Sequence, residues 1–193
     1  SRPSNFLVRA GEWDRSSTFE FAPHHDREVS QIISHPQYYS GGLFNDVAVI
    51  KWQHPLKQEV NVAPICLPDD SDFFQPGVYC TVTGWGKASE DSQTTDKLKF
   101  VKVPLVARNT CETQFQNNRL GRRFKLHESF ICAGGEEGKD SCKNDGGSPL
   151  ICPRQDGSYV LAGLVRWGLD CGQKNVPGAY TIIQHLVKWI NSN

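Results

Sequence analysis

Cys66, Cys80, Cys111, Cys132, Cys142, Cys152 and Cys171 constrain this chain more than any other feature of it. Their spacings do not form the paired Cys-x-x-Cys clusters of zinc sites, so they read as oxidised bridges of a secreted, extracellular protein. At 193 residues no size argument requires such bridges, since a chain this long can bury a proper core. With only 38% hydrophobic residues, however, bridges supplement that core. An odd cysteine count in a secreted protein points to a covalent partner for the one left over.

Between the cysteines the apolar runs are short and punctuated by glycine and proline. Residues 7–10 alternate and stop at Gly11, residues 98–106 carry a two-faced apolar pattern, and residues 159–167 form a further run. These read as strands and turns. Arg108 to Lys125 begins with a helix-like turn around Cys111, and residues 88–95 are a polar loop without a core pattern. Ile182, Ile183, Leu186, Val187 and Ile190 recur at helical spacing and predict an amphipathic C-terminal helix packed on the second half of the chain. No stretch has the roughly 18 consecutive apolar residues of a membrane span. The start carries no signal-peptide pattern, so any targeting segment is expected to have been removed. Lys plus Arg equals Asp plus Glu at 21 each, which gives no bulk charge for nucleic acid; neither nucleic acid nor membrane is an expected partner.

Residues 140–152, Asp-Ser-Cys-Lys-Asn-Asp-Gly-Gly-Ser-Pro-Leu-Ile-Cys, resemble the nucleophile loop of trypsin-like serine proteases, Asp-Ser-Cys-x-Gly-Asp-Ser-Gly-Gly-Pro-Leu. Cys142, Asp145, Gly147, Pro149 and Leu150 fall on matching positions, and Gly146 falls on the catalytic serine. Residues 45–50, Asn-Asp-Val-Ala-Val-Ile, are similar to the family's Asp-Ile-Ala-Leu, which places Asp46 at the triad acid. Residues 80–86 resemble its Val-Thr-Gly-Trp-Gly strand, and residues 163–168 resemble its Val-Ser-Trp-Gly pocket wall with Arg166 in place of a serine. Residues 10–14, 120–135 and 145–150 point to one branch, the arthropod clip-domain serine protease homologues, or masquerade-like pseudoproteases, of the prophenoloxidase cascade.

The resemblance implies an all-β fold of two antiparallel chymotrypsin-like barrels with a C-terminal helix. The first barrel is expected to be incomplete, because the histidine-bearing Thr-Ala-Ala-His-Cys motif is absent. Residues 1–68 are then the remainder of the first barrel, 69–79 the connector, and 80–193 the second barrel with the helix. The resemblance also implies bridges Cys80–Cys152, Cys111–Cys132 and Cys142–Cys171. Cys66 is left to join a missing N-terminal segment or clip domain.

For the site it implies an oxyanion-hole-like pair at Asn144 and Gly146 and a pocket of Asp140, Arg166, Gly168 and Gly178. Arg166 is expected either to compete for Asp140 or to face solvent. Asn144 and Ser148 also depart from family glycines. Glycine has no oxygen with which to attack a carbonyl, so acyl transfer has no first step, and Ser148 stands too far along the chain to substitute. Carboxylates Glu12 and Glu20, in the loop of residues 12–26, make calcium a candidate ligand, although no cofactor is required. The dense positive run of Arg119, Arg122 and Arg123 is a candidate partner contact.

The expected function is a catalytically inactive cofactor for prophenoloxidase activation, and so for melanization in innate immunity. It would be secreted into hemolymph, with prophenoloxidase or phenoloxidase and the activating protease as partners. An adhesion or microbe-binding pseudoprotease is one alternative. A trypsin-like protease with an engineered serine-to-glycine knockout is another.

Overall fold

The computed structural model describes residues 2–19, 21–87 and 92–193. After a short 3₁₀ turn, Pro3–Asn5, the first half supplies strands β1 (Leu7–Ala10), β2 (His25–Ser34) and β3 (Ala48–Trp52). They form an antiparallel sheet in the order β1-β2-β3. Gly11 stops β1 by turning at φ +80°, a conformation that favours a residue without a Cβ. This sheet is open.

The second half supplies β4 (Tyr79–Gly84), β5 (Lys99–Val106), β6 (Phe130–Gly134), β7 (Pro149–Pro153), β8 (Tyr159–Trp167) and β9 (Pro177–Ile182). They close into a barrel in the order β4-β5-β6-β9-β8-β7. Closure leaves no strand edge unpaired and gathers the apolar face of every strand inside. Val82, Val103, Leu105, Leu150, Val160 and Tyr180 fill that interior. Three disulfides, Cys80–Cys152, Cys111–Cys132 and Cys142–Cys171, staple it, the same pairs that the resemblance implies. Mostly β-strand with one closed barrel, a second sheet and a short C-terminal helix, the chain has the chymotrypsin-like fold.

Two helical readings change. The turn around Cys111 is a ten-residue helix, α1 (Arg108–Asn117), because Cys111 and Phe115, one turn apart, are both buried against the barrel. The C-terminal helix is shorter than its apolar spacing predicts. Ile182 ends strand β9, a 3₁₀ turn Gln184–Leu186 follows, and only Val187–Asn191 forms the helix α2. Ile183 and Leu186 are buried. Trp189 turns back to the first sheet, its ring 4.7 Å from that of His35 in edge-on contact.

Candidate functional site

The loop between β6 and β7 is held from both sides. Cys142 is tied to Cys171, and the amides of Gly147 and Val165 donate to Val165 O and Ser148 O at 2.9 and 2.8 Å, fastening the loop to β8. At the loop's bend Asn144 takes φ +72° and Gly147 φ +87°. Asparagine tolerates that left-handed region better than most residues with a Cβ, so the turn survives the loss of the family glycine.

Asp145 is buried, and its carboxylate accepts hydrogen bonds from the amides of Gly86 (2.9 Å) and Cys142 (3.2 Å). A Cβ on Gly84 would lie 2.1 Å from this carboxylate and one on Gly86 2.4 Å, so both glycines are required by its close approach. The sequence motif marked Asp145 only as a matching position. Its burial against two glycines is legible only in three dimensions.

Gly146 follows at the apex. A Cβ there would meet no atom of the described residues within 4 Å, so space for a side chain exists and none fills it. Ser148 lies on the other side of the loop, its Oγ 3.0 Å from where a Cβ on Gly84 would stand.

Behind the apex opens a cleft of about 550 Å³ lined by Asp140, Asn144, Gly146, Arg166, Gly168 and Gly178 among others. Asp140 stands at its base. One carboxylate oxygen accepts from the Gly172 amide at 3.1 Å, while Oδ1 is buried with no hydrogen-bond partner among the described residues. Burial raises the Asp140 pKa to about 6, against the lowering effect of hydrogen bonds from the Gly172 and Ser141 amides. Beside it the Ser141 hydroxyl and the Tyr180 phenol lie 3.0 Å apart. The rear wall is Trp167, packed on Phe115, Phe124 and Phe130.

Arg166 does not compete for Asp140, and it does not simply face solvent. Its Nε lies 2.5 Å from Oδ2 of Asp46, across the cleft on the segment that leads into β3. The N–H is not aligned as a hydrogen bond, so the contact is an ion pair. The reason is local: the β8–β9 register shifts between Val165 and Trp167, and this bulge re-aims the intervening side chain. Strand alternation gave no sign of it. A guanidinium in the apolar run 160–167 does demand an acid, and that demand was the available signal.

Asp46 itself is set by its neighbours. Phe44 stacks on His127 with ring centroids 3.8 Å apart, and the Thr181 hydroxyl donates to the Asp46 carbonyl at 3.4 Å.

Of the positive run, Arg119 is used internally: it pairs with Asp170 at 2.8 Å and donates to the Leu169 carbonyl. Arg122 and Arg123 are exposed.

In the loop of residues 12–26, one Glu12 oxygen faces Arg9 at 3.2 Å and His24 at 3.3 Å. The other accepts from the Trp13 amide, while Arg9 also grips Asp26. Basic side chains thus occupy the space in front of Glu12, and among the described residues no group of three ligating side chains gathers for a metal. Glu20 lies outside the described residues.

Comparison with known proteins agrees with this geometry. The family model described as Trypsin matches residues 1–190. The chain is 44% identical over 188 residues to phenoloxidase-activating factor 2 of Galleria mellonella, covering 95% of this chain and 62% of that protein. It is 43% identical over 193 residues to the inactive CLIP domain-containing serine protease A8 of Anopheles gambiae, covering 100% and 53%. The A28 protein of the same name series from that mosquito is 40% identical over 190 residues, covering 98% and 50%. The chain therefore spans half to three-fifths of the length of these relatives. With the closed barrel, the apex loop and the family model together, the chain belongs to the trypsin family.

Proposed function

We propose that this protein is a catalytically inactive serine protease homologue that acts as a cofactor in prophenoloxidase activation. The observation that carries the reading is Gly146: an otherwise formed cleft has no atom at its apex that can attack a carbonyl. Two of the compared relatives are named inactive, and another is named a phenoloxidase-activating factor.

In this reading Asn144 and Gly146 frame an oxyanion-like turn with nothing to stabilise. Asp140, with an unpartnered carboxylate oxygen, holds a basic side chain of a partner without cleaving beside it. Cys66, exposed and free, joins the N-terminal segment or clip domain through a disulfide. Secretion into hemolymph accords with three disulfides.

The test mixes the full-length protein with prophenoloxidase and its activating protease. Phenoloxidase activity is expected to rise well above that of the pair alone, while arginine-amide substrates stay intact. An unchanged yield would remove the cofactor role and leave adhesion as the competing one. Hydrolysis of the amides by the protein itself would remove the non-catalytic reading.

A further inference from the structure

The geometry points to Arg166 as a second lock on the chemistry, placed on the acid of the dismantled site and independent of Gly146. This rests on reading Asp46 as that acid.

An aspartate that serves a hydrolytic site does so by orienting an imidazole and stabilising the imidazolium formed when the base takes a proton. It needs a free carboxylate for both. Here the carboxylate is already committed: Arg166 Nε stands 2.5 Å from Oδ2. A guanidinium stays charged at every relevant pH and does not step aside by losing its proton. An imidazole brought to the same carboxylate would share it with this cation. Its protonated form would be repelled at close range, so its basicity would fall when catalysis needs it raised.

Both partners are fixed where they stand. Arg166 leaves β8 at a bulge, where it has no pairing position in β9 and projects toward the first sheet. The Asp46 segment is pinned by Phe44 on His127 and by the Thr181 hydroxyl. The side chains are 26% and 34% exposed, so water screens the pair only in part. The same reach draws Arg166 away from Asp140, whose Oδ1 stays unpartnered. One arginine therefore silences the acid and leaves the base of the cleft open to a visiting cation.

The experiment uses the full-length protein in four forms: wild type, Gly146→Ser, Arg166→Ser and the double variant. Hydrolysis of arginine amides by Gly146→Ser alone is expected to stay near background. The double variant should exceed it by roughly tenfold or more, since an acid restored to its base is among the larger contributions in such sites. Equal rates for the single and double variants would overturn the lock.

A second measurement does not depend on turnover. Melting temperatures of Asp46→Asn, Arg166→Ser and the two combined should be non-additive, with the combined variant losing little beyond either single one. Strict additivity would mean that the pair does not form in solution, which also overturns the proposal. Turnover by the wild type would instead strike at the non-catalytic reading and leave the pair untouched.

Discussion

Asp140 makes the cleft sensitive to pH in an uncommon direction. Its pKa is raised from 3.8 to about 6 by burial, so the folded chain holds the proton more tightly than the unfolded one between those values. The stabilisation from that proton is complete below a pH of about 4 and disappears as pH rises through about 6. Asp14, Asp26, Asp69, Asp72 and Asp156 have pKa values lowered by hydrogen bonds from Ser16, Arg9, Ser71, Arg154 and Ser158, so their contributions are lost only in more acidic solution. Asp140→Asn is therefore expected to flatten the stability profile between pH 4 and 6 and to stabilise the protein at pH 7.5 by roughly 1–3 kcal/mol. Urea denaturation at pH 5 and pH 7.5 measures this, and a parallel pH profile in wild type and variant would contradict it. An amidinium probe should bind more tightly across the same rise in pH, because it needs the ionised form.

At the scale of elements, the positive run after α1 divides into two kinds of residue. Arg119 is a structural tie to residues 169 and 170, and Lys125 is tied to Glu112 of α1 at 2.9 Å. Arg122 and Arg123 are the exposed remainder, beyond the turn at Gly121 with its φ of +72°. Replacing Arg122 and Arg123 together by alanine should reduce cofactor activity and leave the melting temperature within about 1 °C, as surface changes usually do. Arg119→Ala should lower the melting temperature instead. Unaltered phenoloxidase activation by the Arg122/Arg123 variant, at low and physiological salt, would exclude this surface. How much of this was legible varies by element. Residues 98–106 and 159–167 read correctly as strands because apolar patterning is local. The bulge at Arg166 did not, since one inserted residue reverses the face of a side chain without altering composition. The C-terminal pattern failed for a related reason: Ile182 is half-buried at a strand end and Ile183 is buried at the entry to a turn, and apolar spacing records burial whatever the backbone that achieves it.

Across the whole molecule the cysteines divide unevenly. Six lie in bridges within the closed barrel and α1, and Cys66 is exposed, with its carbonyl accepting from the Leu161 amide at 2.9 Å. The resemblance supplied those pairings, since position in sequence alone admits many. Non-reducing peptide mapping of the mature protein is expected to find Cys66 in a disulfide to a segment outside residues 1–193, and a free thiol there would refute the linkage.

The same imbalance shows what holds the cleft in shape. The barrel buries Val82, Val103, Leu105, Leu150, Val160 and Tyr180 and carries the three disulfides, so the apex loop is fastened from the barrel side. Arg166, reaching from β8 to the segment before β3, adds a charged tie between that barrel and the first half of the chain.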